Sequence, residues 1–175
     1  MIKTNRRELL GSLPRARTAR PDFKVEGHGM TDVGCRREAN EDSFLMLPRN
    51  DVYIVADGMG GHAGGQEASK LTIETAGFAY ARRMAAAEKA AKANGHAVNV
   101  AEVVEASVRE ACERVFDTAR ADPALNGMGS TITAMMVYGG HAFFGQVGDS
   151  RAYLLRNGAL TQVTEDHSLV QEQVA

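Results

Sequence analysis

The residues best suited to chemistry in this sequence are acids placed where strand-forming stretches meet glycines. Asp57 closes the apolar run Val52-Tyr53-Ile54-Val55-Ala56 and opens Gly58-Met59-Gly60-Gly61-His62. Glu41-Asp42, Asp149 and Asp166 stand at comparable junctions, and Asp149 is also flanked by glycine in Gly148-Asp149-Ser150. Carboxylates and backbone carbonyls are the donors preferred by hard divalent cations such as magnesium and manganese. Glycines let the main chain approach a ligand closely enough for its carbonyls to bind. One such acid alone is more often a helix cap or a surface ion pair. Several of them beside glycine turns favour a metal site. The histidine at position 62, five residues after Asp57, supplies a group that exchanges protons near neutral pH.

Two other readings of the turn compete. Gly58-x-Gly60-x-x-Ala63 after a strand satisfies the loose dinucleotide-binding fingerprint. Asp57 argues against it, because a carboxylate would repel the pyrophosphate that such a turn attracts. The helical stretch that follows is also longer than a crossover needs, and no acid closes a second strand about 20 residues on. The remaining reading is a tight turn with no ligand. No cluster of His and Cys offers a zinc site, and no Gly-Lys-Ser/Thr offers a phosphate-binding loop.

The elements that must position these acids follow from pattern. Ser43–Leu47 and Val52–Ala56 read as strands joined at Asn50-Asp51. Glu67 to Ala93 is rich in alanine and lysine and reads as one long helix, stopped by Asn94-Gly95. Asn99 with Glu102 resembles a capping box, and Val100, Val104, Val108, Ala111 and Val115 form a core-facing stripe ending at Asp122-Pro123. Strands follow over Thr131–Tyr138 and His141–Val147, with a hairpin at Gly139-Gly140. Two more follow over Arg151–Arg156 and Ala159–Val163, closed by Asn157-Gly158 as a type I′ turn. Glu165-Asp166-His167-Ser168 is expected to open a further helix. Hairpins on both sides of a helix pair predict antiparallel sheets in an α+β layered fold.

At 175 residues, with 44% hydrophobic and 24% charged residues, the chain has the size and composition of one globular domain. A formal net charge of −2 gives no general attraction for nucleic acid or a membrane surface. Cys35 and Cys112 have no metal-type spacing and read as reduced thiols in a cytoplasm. No apolar run approaches the roughly 18 residues of a membrane span. Residues 1–28 read as a basic, loosely ordered leader carrying Arg6, Arg7, Arg15, Arg17 and Arg20, with a short helix about Arg6–Leu13. Arg6-Arg7 lacks the apolar segment an export signal requires, because Pro14, Arg15 and Arg17 interrupt it.

Five motifs in order carry a family resemblance: Arg37-x-x-Asn40-Glu41-Asp42, Asp57-Gly58-Met59-Gly60-Gly61-His62, Gly129-Ser130-Thr131, Gly148-Asp149-Ser150-Arg151 and Thr164-x-Asp166-His167-Ser168. They resemble type 2C metal-dependent serine/threonine phosphatases, and the Met-Gly-Gly before the histidine is similar to the bacterial form. The resemblance covers residues 29–175 and implies a layered α-β-β-α sandwich, two antiparallel sheets flanked by helix pairs. It implies that Asp57 bridges two manganese or magnesium ions, and that the Gly58 carbonyl binds one of them. Glu41 and Asp42 would hold the same centre, and Asp149 would serve the third ion of bacterial members. Two ions of this kind generate a hydroxide-like nucleophile and neutralise phosphate charge. Arg37 would clamp the phosphate with its planar fork, and His62 would protonate the departing serine or threonine oxygen. The implied substrates are phosphoproteins, and the implied counterpart is a serine/threonine kinase.

The sequence departs from that pattern in two places. Gln66 stands where many bacterial relatives carry glutamate. The family pattern continues with an Asp-Gly and an Asp-Asn pair whose aspartates complete the metal centre, whereas no aspartate follows Asp166 here. The resemblance therefore implies the first part of a phosphatase catalytic domain without its last strands and ligands. On this reading residues 1–175 alone are expected to bind manganese weakly, to turn over negligibly and to associate through exposed sheet. A domain that binds phosphoproteins without catalysis is the alternative.

Overall fold

The computed structural model of the protein describes residues 24–60 and 64–167. Strands β1 (Asp42–Leu47) and β2 (Val52–Met59) form an antiparallel hairpin. In its turn Asp51 takes φ 51, and the Asn50 N–H donates to the Leu47 carbonyl at 2.9 Å. Strand β2 alternates strictly: Val52, Ile54, Ala56 and Gly58 are buried, while Val55, Asp57 and Met59 are exposed. Period-two alternation assigns one face to the core and leaves Asp57 on the other. A two-residue strand, β3 (Gly129–Ser130), pairs with the end of β2, and β4 (Ile132–Tyr138) pairs with its earlier part. Strand β5 (His141–Val147) completes a sheet of order β1-β2-β4-β5, with β3 beside β2.

Helix α1 (Gly64–Asn94) and helix α2 (Val100–Ala121) cover one face of this sheet. Helix α1 begins three residues before the expected Glu67, because Gly64 and Gly65 are drawn into its first turn. Its buried Ile73, Ala76, Tyr80 and Met84 recur at helical spacing and meet Ile54, Ala56, Ile132 and Met136 of the sheet. In α2 the expected stripe Val100, Val104, Val108, Ala111 and Val115 is buried throughout. The expected cap is also present, with the Glu102 N–H donating to Asn99 Oδ1 at 3.3 Å. Arg82 and Arg83 both reach Glu110 across the antiparallel helices at 2.7 Å. These pairs are exposed enough that they select register more than they stabilise.

The opposite face of the sheet is crossed by the segment leading to the site. A side chain at Gly27 would lie 2.0 Å from the Tyr53 ring, and one at Gly29 would lie 2.5 Å from the Phe44 ring. The main chain here rests on the aromatic rings themselves. Beyond that strap, Val55 and Phe144 remain 47% and 40% exposed. Strands β6 (Tyr153–Arg156) and β7 (Ala159–Gln162) form a separate two-stranded antiparallel sheet. Asn157 and Gly158 close it at φ 52 and φ 78, the type I′ turn expected from their sequence.

The architecture is α+β with two antiparallel sheets and one helix pair among the described residues. Glu165, Asp166 and His167, expected to open a helix, are not themselves helical, and the remainder of that expected helix lies outside the described residues. The Asp166 carboxylate is drawn to Arg151, and the His167 N–H donates to the Gly148 carbonyl at 3.0 Å, which pulls the segment into a loop. His62, the leader up to residue 23 and residues from Ser168 lie outside the described residues.

Candidate metal centre

The register of the first hairpin places Asp42 directly opposite Asp57. Two carboxylates facing each other across an antiparallel pair repel unless a proton or a cation lies between them. The Asp57 carboxyl is accordingly held above its ordinary range, first by desolvation and then by the charge and hydrogen-bonding contact of Asp42. Asp149 pushes in the same direction, while Arg37 opposes it. Asp149 is exposed on the loop after β5, which the contact between Ser150 Oγ and Thr131 Oγ1 at 2.8 Å brings back towards the end of β2.

Main chain builds the second part of the site. The Gly58 N–H donates to the Glu41 carbonyl at 3.1 Å, which fastens the end of β2 to the residue before β1. A Cβ at Gly58 would lie 1.9 Å from the Gly65 carbonyl oxygen, and one at Gly65 would lie 2.2 Å from Glu41 Oε1. The strand end, the first turn of α1 and the Glu41 carboxylate are therefore packed with no room for a side chain. Asn40 sets Asp42: its Oδ1 accepts from the Asp42 N–H at 3.0 Å, while its Nδ2 donates to Thr31 Oγ1 at 2.7 Å. Arg37 donates from Nη1 to Glu41 Oε2 at 2.8 Å and is otherwise open to solvent. A cleft of about 350 Å³ beside them is lined by Asp42, Asp57 and Ser150 together with Met30, Thr31 and Asp32.

The donors brought together are all oxygen, which fits a hard divalent ion and not zinc. Among the described residues no three His, Cys, Asp or Glu side chains converge to hold an ion by themselves. Asp57 and Asp42 across the hairpin, with the Gly58 carbonyl beside them and Glu41 and Asp149 further out, are the groups that could hold part of such an ion's shell.

Asp166 does not join the other acids. Arg151 donates from Nε to both of its oxygens at 2.9 Å, and this bond holds the Asp166 carboxyl below its ordinary value of 3.8. A carboxyl lowered by folding contributes its stability above the ordinary value and loses it as pH falls through the lowered one. Asp166→Asn is therefore expected to speed hydrogen exchange of the Tyr153–Gln162 amides at neutral pH. The difference should begin to shrink as pH falls below about 3.8 and vanish only below the lowered value. Equal exchange of variant and wild type at neutral pH would contradict this role.

Three residues that serve the site were not assigned a role from sequence: Asn40, Gly65 and Thr131. Asn40 and Thr131 lie within the recognised motifs, but their partners are set only by folding. Gly65 lies in a stretch that reads as a loop.

An α+β domain with carboxylates paired at a strand end is the class that fold and site define. The pattern of the family described as protein phosphatase 2C matches residues 36–173. The serine/threonine phosphatase stp of Listeria welshimeri is 37% identical over 145 residues, 81% of this chain and 54% of that protein. The serine/threonine protein phosphatase PstP of Mycobacterium tuberculosis is 36% identical over 82% of this chain and 25% of that protein. The crystal structure of the catalytic domain of PstP in complex with two manganese ions superposes with a TM-score of 0.62 at 35% identity, covering 81% of this chain and 55% of that one. The chain spans about half the length of the first of these relatives. It belongs to the protein phosphatase 2C family.

Proposed function

We propose that the protein hydrolyses phosphoserine and phosphothreonine esters in other proteins, with manganese or magnesium held at Asp57. The observation that carries this reading is the register that sets Asp42 against Asp57 beside the Gly58 carbonyl, within a chain matched by the family. Asp57, Asp42, Glu41 and the Gly58 carbonyl hold the ions, and Asp149 contributes from its loop. When bound, such ions make water nucleophilic at neutral pH and screen the phosphate charge.

The chain's own groups do the rest. Arg37, held by Glu41 and otherwise open to solvent, offers a planar fork that binds and orients phosphate oxygens. His62 delivers a proton to the departing alkoxide. The basic segment before residue 29 serves as a leader to this catalytic domain, and its last residues lie on the sheet, where a Cβ at Gly27 would meet the Tyr53 ring. A serine/threonine kinase is the natural counterpart. The site of action is the cytoplasm, in keeping with Cys35 and Cys112 as free thiols. Among the described residues no helix is long and apolar enough to cross a membrane.

The test is release of a phenol from an aryl phosphate with manganese, with and without chelator, followed by phosphopeptide hydrolysis. Arg37→Ala is expected to raise KM about tenfold or more, the loss of a charge-assisted bidentate contact. His62→Ala should slow phosphopeptides, whose alkoxide leaves poorly, and should spare aryl phosphates. In a chain completed by the family's Asp-Gly and Asp-Asn pairs, phosphopeptide binding without manganese-dependent turnover would favour a binding domain and reject the enzyme.

A further inference from the structure

Opposite Asp57 the sheet changes partners. Strand β2 pairs with β3 up to Gly58↔Ser130 and with β4 from Val55↔Thr133, and Thr131 lies in the break between them. There the Thr131 N–H donates to the Asp57 carbonyl at 2.8 Å, and the Asp57 N–H donates to Thr131 Oγ1 at 2.9 Å. A side-chain hydroxyl thus takes the place of a carbonyl in the ladder, at the residue that carries the central carboxylate. Thr131 Oγ1 also lies 2.8 Å from Ser150 Oγ, so one hydroxyl donates to the other. The Ser150 carbonyl in turn accepts from Thr133 Oγ1 at 2.7 Å and from Gln146 Nε2 at 3.1 Å. Gln146 Nε2 also donates to the Gly148 carbonyl at 3.0 Å. These bonds join the Asp57 main chain to the loop that bears Asp149.

We infer that the Thr131 hydroxyl is a positioning group for metal binding, fixing Asp57 and tying it to the Gly148-Asp149-Ser150 loop. The inference rests on the metal-dependent reading above and adds to it a residue that touches neither ion nor substrate. Two parts of the side chain separate cleanly. The hydroxyl makes the bonds, whereas the methyl packs against the loop, since a Cβ at Gly148 would lie 2.7 Å from Thr131 Cγ2. Valine keeps the shape and removes the hydroxyl; serine keeps the hydroxyl and removes the methyl.

The experiment measures manganese affinity in the full chain from the spin-resonance signal of free Mn²⁺, well below the melting temperature. Melting curves in chelator are recorded alongside. Thr131→Val is expected to weaken manganese binding roughly 10–100-fold, the usual cost of losing an outer-shell partner. Thr131→Ser should stay within about threefold of wild type, and Ser150→Ala, which removes only the tie to the loop, should fall between them. A packing role alone would lower the melting temperature of Thr131→Ser and leave affinity unchanged in Thr131→Val. Affinity of Thr131→Val equal to wild type overturns the inference. If that variant does not fold, unaltered affinity in Ser150→Ala overturns it instead. Manganese-dependent hydrolysis by wild type with unaltered variants would sink this inference alone. No manganese binding by the wild type would sink both it and the proposed function.

Discussion

In a chain completed by the family's Asp-Gly and Asp-Asn pairs, Asp57→Asn is expected to lower manganese-stimulated hydrolysis at least about a hundredfold without unfolding the protein. The amide keeps the size of the carboxylate but removes the charge that faces Asp42 across the hairpin. Ion binding supplies several kcal/mol of charge stabilisation, and each 1.4 kcal/mol lost is about tenfold in rate. Stability should move the other way. Folding raises the Asp57 carboxyl above its ordinary value of 3.8, first through desolvation and then through Asp42. The folded chain therefore holds that proton more tightly than the unfolded chain. Ionisation of Asp57 costs stability as pH rises from the ordinary value through the raised one. In chelator at neutral pH, Asp57→Asn should melt no lower than wild type, and any gain should vanish below about pH 3.8. Wild-type turnover in the variant, or a lower melting point in chelator, would refute the assignment.

Gly58→Ala is expected to be the most damaging small substitution in the domain, lowering stability by about 3 kcal/mol. The added methyl would meet the Gly65 carbonyl oxygen at 1.9 Å and the Glu41 carbonyl oxygen at 2.8 Å. Both are main chain, so the clash can be relieved only by moving the first turn of α1 or the start of β1. Either movement also displaces the carbonyl assigned to the metal. The melting temperature should fall by roughly 6–12 °C, as expected for a chain of this size. Gly95 is the control: it takes φ 68 at the end of α1 with nothing near its missing Cβ, so Gly95→Ala should cost only about 1 kcal/mol of backbone strain. Equal melting of the two variants would show that Gly58 is not sterically confined.

What could be read from the sequence was what neighbouring residues decide among themselves. Asn99 and Glu102 are three apart and announced the start of α2; Asn157-Gly158 announced its turn. The stripe of α2 was legible because its period is intrinsic to one helix. Gly64 and Gly65 hid the start of α1, since two glycines read as a loop until the Glu41 carboxylate and the Gly58 carbonyl are seen to need the space. Thr131 was visible as part of a motif, but its partner lies 74 residues away, and no local pattern encodes that pairing. Asp166 looked like another ligand because it is an acid after a strand. Its engagement with Arg151, 15 residues earlier, appears only once the ribbon has closed.

The hairpin that sets Asp42 against Asp57 has a consequence for how the chain reaches its fold. A slip of β2 by one residue would turn Asp57 towards the helices, into the place of Ala56, which is only 3% exposed. Such a slip would strand a carboxylate in an apolar interior, at a cost of several kcal/mol. It would also turn Ile54 and Val52 out to solvent. The acid that weakens the correct hairpin by facing its neighbour therefore weakens the misaligned one far more. The same side chain acts as a proofreader of strand alignment before any ion arrives.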